Sequence, residues 1–114
     1  MRVLVTGVAG FIGYHTAERL LERGEEVIGV DCLNDYYDLG LKRSRLERLE
    51  GRAGYTFYPY DISDREAIHS VFQRHRCTHV INLAAQAGVR YSLENPRAYL
   101  DSNIIGTFNV MEAS

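Results

Sequence analysis

Val3-Leu4-Val5-Thr6-Gly7-Val8-Ala9-Gly10-Phe11-Ile12-Gly13 begins as an apolar run and is cut at Gly7 by a glycine-rich turn. A helical pattern follows as far as Gly24, and a second apolar run, Val27 to Val30, ends in Asp31. The order strand, Gly-rich turn, helix, strand, acid is the signature of a dinucleotide-binding βαβ unit. Gly7 suits the tight turn out of the strand. Gly10, lacking Cβ, lets the backbone approach a pyrophosphate, and Gly13 lets the helix sit close to the sheet. The helix N-terminus offers N–H groups and the positive end of its dipole. Asp31 stands 18 residues beyond Gly13, where an acid accepts hydrogen bonds from the hydroxyls of an adenine ribose and repels a 2′-phosphate. No Lys or Arg follows Asp31 before Lys42, so NAD is expected in preference to NADP. The spacing is Gly-x-x-Gly-x-x-Gly rather than Gly-x-Gly-x-x-Gly, and a tight turn in a flavodoxin-like domain is the structural alternative.

With 114 residues the chain holds one domain at most. Hydrophobic residues at 46% and charged residues at 25% fit a globular protein. A net charge of −2 gives no bulk attraction to nucleic acid or an anionic membrane. No apolar run approaches the roughly 20 residues of a membrane span, and no signal peptide is expected because a strand pattern opens the chain. Cys32 and Cys77 make no disulfide framework and read as reduced thiols, which points to a cytoplasmic location.

Outward from the opening unit, the pattern predicts strands at 2–6, 26–30, 55–58 and 80–83. It places Ile12, Thr16 and Leu20, with Ala17 and Leu21, on the inner stripe of a first helix over 11–23. A second helix over 41–50 has Leu41, Arg45, Leu46 and Leu49 as inner candidates. Its basic residues Lys42, Arg43, Arg45 and Arg48, with Arg52 beyond, read as a solvated face rather than a phosphate patch. Asp61-Ile62 follows strand three, at the edge where such sheets bind ligands. Ser63-Asp64-Arg65-Glu66 reads as a capping box, ahead of a helix with Ala67, Ile68, Val71 and Phe72 on one face. His75, Cys77 and His79 would share one face of a strand, but with three candidate ligands and no fourth nearby no metal site is expected. Ala84 to Gly88 is a small-residue loop. Asn95-Pro96 starts a last helix with Leu100, Ile104, Ile105 and Phe108 as its apolar stripe. The expected fold is therefore α/β, a Rossmann-type doubly wound parallel sheet, β-α-β-α-β-α-β-α, ordered 3-2-1-4. Residues 1–114 form its NAD-binding part.

Thr6-Gly7-x-x-Gly10-Phe11-Ile12-Gly13, Asp31, Asp61-Ile62, Leu83-Ala84-Ala85 and Asn103-x-x-Gly106-Thr107-x-Asn109 resemble the extended short-chain dehydrogenase/reductase family, NAD-dependent epimerases and dehydratases. Two stretches, Leu33 to Asp38 and Ala84 to Pro96, resemble UDP-glucuronate 4-epimerases in particular. The resemblance implies an isomerase working through a 4-keto sugar on bound NAD. It implies that Gly7, Gly10 and Gly13 hold the pyrophosphate, with Phe11 and Ile12 also on the cofactor, that Asp31 meets the ribose, and that Asp61 and Ile62 flank the adenine. Leu83, Ala84 and Ala85 would line the way to the nicotinamide. Asn103 reads as a cofactor-side anchor or, alternatively, a buried and satisfied amide, and by the resemblance Arg90, Tyr91 and Ser92 would face a UDP-sugar. It also implies a homo-oligomer, a dimer by family habit.

The family's Tyr-x-x-x-Lys pair, in which Lys tunes Tyr to act as a base, is absent. The single lysine is Lys42, and the residue four before it is Asp38. The chain reads as the N-terminal third of an epimerase that alone binds NAD without turnover. The alternatives are another NAD-dependent sugar-nucleotide dehydratase or decarboxylase, and a non-catalytic NAD-binding module.

Overall fold

The computed structural model describes residues 1–33, 39–84 and 96–114, with the side chains of Leu39, Ala98, Tyr99, Asp101 and Ser102 left aside. The elements are β1 (Arg2–Thr6), α1 (Phe11–Glu22), β2 (Glu26–Val30), α2 (Leu39–Leu49), β3 (Tyr55–Tyr58), α3 (Arg65–Arg74), β4 (His79–Asn82) and α4 (Pro96–Tyr99). A π-helical segment (Leu100–Gly106) then leads into α5 (Thr107–Ala113). The four strands are parallel and ordered β3-β2-β1-β4, as the crossover rule requires. Val3 is paired with Val27 on one side and His79 on the other, so β1 is central. Its apolar run is explained by burial on both faces: Val3, Leu4 and Val5 are at most 1% exposed.

Gly13 fixes the seat of α1. A Cβ there would stand 2.1 Å from the Gly7 carbonyl oxygen and 3.0 Å from Val8 Cα. Only glycine permits that approach, and it turns Gly13, Tyr14, Ala17, Leu20 and Leu21 to the sheet. Ile12, expected on the inner stripe, is thereby rotated out and is 65% exposed, while Thr16 is only half-buried. The helix stops at Gly24, which takes φ +82° and leaves Glu25 N–H to bond the Leu20 carbonyl.

Three other expectations are corrected. In α2, Leu41 faces out and Lys42 faces in, because Lys42 pairs with Asp31 and sets the helix rotation. Leu49 is buried and Leu46 half-buried, as expected. At α3 the N-cap is Asp64, whose carboxylate accepts from Ala67 N–H at 3.2 Å; Ser63 Oγ is instead spent on Asp61 at 2.8 Å. In the last helical stretch the π turns shift the phase. Gly106, Asn109 and Val110 pack inward, while Ile104, Phe108 and Met111 are 63%, 60% and 70% exposed.

β4 also begins one residue earlier than expected, at His79, so His75 and Cys77 precede the strand and share no strand face with His79. His75 Nε2 lies 2.6 Å from Tyr58 Oη, and His79 Nδ1 lies 2.9 Å from Thr78 Oγ1. Among the described residues no three His, Cys, Asp or Glu side chains are grouped to hold a metal ion. Cys32 and Cys77 are not joined in a disulfide. No described helix is long and apolar enough to cross a membrane.

Candidate functional site

Parallel strands put all four carboxyl ends on one edge, and the Gly-rich turn lies there. Gly7 leaves β1 at φ +71°, and Gly7 N–H bonds the Val30 carbonyl at 2.8 Å, tying the turn to the end of β2. A Cβ on Gly7 would meet Ala84 N and Leu83 C at 2.9 Å. Leu83 and Ala84, which follow β4, therefore lie directly against the turn. Thr6 secures them: its hydroxyl reaches Asn82 Oδ1 and accepts N–H groups from Leu83 at 2.9 Å and Ala84 at 3.0 Å. Gly10 is the N-cap of α1 and brings no side-chain cap, and the first turn carries no acid. Donors at a helix N-terminus with neither cap nor acid suit an anion.

Asp31 is 5% exposed. Its Oδ2 accepts Ala9 N–H at 3.1 Å, and its Oδ1 accepts Leu33 N–H at 2.9 Å and Lys42 Nζ at 3.0 Å. The acid thus links β2, the Gly-rich turn and α2. Arg45 completes the connection, donating from Nη1 to the Ala9 carbonyl at 3.0 Å with its guanidinium 5.8 Å above the Phe11 ring. The expectation that the basic residues of α2 form a solvated face holds for Arg43 and Arg48, which are exposed, and fails for Lys42, while Arg45 is half-buried, as its place among the inner candidates required. Tyr55 approaches from the sheet side. Its hydroxyl is buried without a hydrogen-bond partner among the described residues, and burial, with the Asp31 charge, pushes its pKa up.

Asp61 is exposed after β3 and is held by Ser63 N–H at 2.9 Å. Ile62 is 4% exposed, and its carbonyl accepts the buried Asn109 amide at 2.9 Å. Leu83 is exposed, Ala84 half-buried, and Asn103 exposed on the π-helical segment. Ala85, Arg90, Tyr91 and Ser92 lie outside the described residues. Phe11 and Ile12 flank an open depression of about 610 Å³ along α1, which Asp31 and Ile62 do not line.

Sequence reasoning gave no site role to Lys42 or to Arg45, although Arg45 stood among the inner candidates of α2, and it quoted Thr6 and Asn109 only within the family motif. Lys42 carried a usable signal, since it is the single lysine and stands on the helix after the acid.

The fold and this edge define a nucleotide-binding domain of the extended short-chain dehydrogenase/reductase type. The chain belongs to the family described as GDP-mannose 4,6 dehydratase, whose model matches residues 4–114. A UDP-glucuronate 4-epimerase of Thermodesulfobacterium geofontis is 52% identical over 109 residues, 96% of this chain and 34% of that protein. The crystal structure of UDP-glucuronic acid 4-epimerase from Bacillus cereus, in complex with UDP-glucuronic acid and NAD, is 33% identical and superimposes with a TM-score of 0.89. It covers 99% of this chain and 36% of the other. The UDP-glucose 4-epimerase of Thermus thermophilus in complex with NAD is 40% identical with a TM-score of 0.81, over 99% of this chain and 33% of that one. The chain spans about a third of the length of these relatives.

Proposed function

We propose that residues 1–114 are the NAD-binding domain of a nucleotide-sugar 4-epimerase that interconverts UDP-glucuronate and UDP-galacturonate. The observation that carries the reading is the convergence on one sheet edge of an uncapped helix N-terminus and Asp31, joined through the Ala9 N–H bond. The residues fit the dinucleotide. Gly10 carries no side chain at the mouth of the turn, and the N–H groups of Phe11, Ile12 and Gly13 in the first turn of α1 hold the pyrophosphate. Asp31 accepts the ribose hydroxyls. Asp61 and Ile62 border the adenine, Ile62 being positioned by Asn109. Leu83, Ala84 and Ala85 line the way to the nicotinamide, with Asn103 as a polar anchor, and Arg90, Tyr91 and Ser92 face the UDP-sugar.

When bound, NAD takes the hydride of the sugar C4 and returns it to the opposite face. This chain supplies binding and orientation for that exchange. The proton at the C4 hydroxyl needs a base of the Tyr-x-x-x-Lys kind, and these 114 residues contain none. They therefore bind NAD without turning over UDP-glucuronate, and catalysis draws on residues outside them. The exposed ridge of Ile104, Phe108 and Met111 supports association into a homodimer. Two cysteines that form no disulfide support a cytoplasmic location.

Calorimetric titration of NAD into the cofactor-free protein tests the reading. Saturable binding is expected, weakened at least tenfold by Gly10→Ala without loss of folding. No binding to folded protein overturns it. Binding of NAD by a longer native protein that leaves UDP-glucuronate untouched supports the non-catalytic module instead. A dehydrated or decarboxylated product supports the other sugar-nucleotide chemistry.

A further inference from the structure

The lateral edge of the sheet, along β3, presents unpaired backbone. In a parallel pair the backbone groups of alternate residues face the neighbouring strand. Val27 N–H bonds the Gly54 carbonyl, and Asp31 N–H bonds the Tyr58 carbonyl. Val27 is in register with Tyr55, and Gly29 with Phe57. Residues 54, 56 and 58 therefore turn their backbone groups toward β2, and Tyr55 and Phe57 turn theirs outward. β3 ends the sheet order, so no described strand meets them. Tyr55 N–H is spent on the Arg52 carbonyl. The Tyr55 carbonyl, the Phe57 N–H and the Phe57 carbonyl are left aimed out of the sheet, bonded to no described residue. Edge strands are commonly blunted by a charge or a proline. Tyr55–Tyr58 carries neither, and Pro59 stands just past its end.

The side chains beside this edge say what fits. Tyr55 and Phe57 lie on the face covered by α2, where both pack with Leu46 against the core. Next to them opens a depression of about 300 Å³ lined by Leu46, Glu50, Gly51, Tyr55 and Phe57. A strand added antiparallel, with one residue opposite Phe57, exchanges both bonds with it. The residue two positions on lies opposite Tyr55 and gives its N–H to the Tyr55 carbonyl. Both incoming side chains then stand on the α2 face, over the depression. Glu50 is exposed and is the charged residue of that lining, so a cation farther along the added strand is favoured over an acid. A second copy of this chain fits poorly. Paired two-fold with Phe57 opposite Phe57, the Tyr55 carbonyl meets Pro59, which has no N–H. With Phe57 opposite Tyr55, the Phe57 carbonyl meets an N–H already spent on Arg52. Each register leaves a carbonyl unpaired, and a foreign strand leaves none.

We propose that the free edge of β3 is a docking site for an extended segment of another protein, added antiparallel, with two apolar side chains over Leu46, Tyr55 and Phe57 and a basic residue for Glu50. The site lies along the side of the sheet, away from the edge that carries the Gly-rich turn, and does not depend on the dinucleotide reading.

The probe is the peptide acetyl-Thr-Val-Thr-Val-Thr-Lys-amide, titrated into isotope-labelled protein and followed by NMR at the Phe57 amide. In the free protein that amide should exchange rapidly with solvent. Saturating probe should shift its resonance and slow its exchange about tenfold or more. N-methylation of both valines, whose N–H groups face β3, should weaken binding about tenfold or more, whereas N-methylation of the central threonine, whose N–H faces away, should change it less than about twofold. Glu50→Lys, a change at an exposed position, should weaken binding about threefold at low salt. No saturable shift with the probe at about 5 mM overturns the proposal. Equal weakening by the two methylations overturns it too, because the contact is then apolar adhesion without a ladder. A Phe57 amide already slow to exchange in the free protein shows the edge covered and overturns it. A dimer that the probe dissociates assigns the edge to a second copy and overturns it. Undiminished binding by Glu50→Lys overturns the choice of a basic partner.

Discussion

Gly13→Ala is the sharpest test of how the molecule is assembled. The added methyl would start 2.1 Å from the Gly7 carbonyl oxygen and 2.8 Å from the Gly7 carbonyl carbon. Both are backbone atoms inside the turn that joins β1 to α1, so no side chain can swing away. Restoring an ordinary contact moves the helix about 1 Å from the sheet. That lifts Tyr14, Ala17, Leu20 and Leu21 off the core they fill, and a gap of that size forfeits a quarter to a half of each contact's attraction. Overpacking of this kind costs about 3 kcal/mol, the upper end of its usual range. Alanine returns about 0.5 to 1 kcal/mol through its better helix propensity. The net loss is about 2 kcal/mol, which for a domain of this size lowers the melting temperature by roughly 8 °C. Calorimetric melting is the assay, with two companions. Gly10→Ala meets a single atom at 3.2 Å and keeps an ordinary φ of −75°; it should melt close to wild type. Gly24→Ala meets nothing within 4 Å but holds φ +82°, so it should lose about 1 kcal/mol through backbone strain alone. A Gly13→Ala protein melting within 2 °C or so of wild type would refute the seating of α1 on the turn.

Three further outcomes are expected. Asp64→Ala removes the cap of α3 and should cost about 1 kcal/mol in urea unfolding, whereas Ser63→Ala leaves that cap in place. Asn109→Leu strands the Ile62 carbonyl, and losing a buried partner costs about 1 to 3 kcal/mol; a urea midpoint equal to wild type would contradict the contact. Burial lowers the pKa of His75 below its ordinary 6.5, and its ring nitrogen lies 2.6 Å from the Tyr58 hydroxyl. The unfolded chain then takes up the proton first, so the stabilisation is complete above about pH 6.5 and declines as the pH falls through it. The stability difference between wild type and His75→Gln should accordingly be larger at pH 8 than at pH 5.5.

The architecture was legible because its signals are local. Period, glycine spacing and a terminal acid are read within about 30 residues, and they specified the strand order 3-2-1-4 that the sheet adopts. The errors share a cause: each helix was oriented by the hydrophobicity of its own residues, whereas tertiary contacts turn it. A backbone contact at Gly13 rotates Ile12 out, and an ion pair 11 residues apart draws Lys42 in while Leu41 goes to the surface. The stripe at Ile104 and Phe108 was correctly read as apolar and wrongly read as buried, because amphipathicity reports a face and not its cover. Lys42 was set aside as too distant from Asp31 in sequence, although the fold places its ammonium 3.0 Å from the carboxylate.

The place of β1 has a kinetic consequence. It is made first, yet it sits in the middle of the sheet, and its second neighbour is 76 positions downstream, Val3 beside His79. At about 5 to 20 residues per second of synthesis, β1 waits about 4 to 15 s with one edge unpaired after it emerges. During that interval Val3, Leu4 and Val5, later sealed on every side, form a bare sticky edge. A nascent chain stalled short of His79 should recruit chaperones and aggregate, and one released just beyond Asn82 should not.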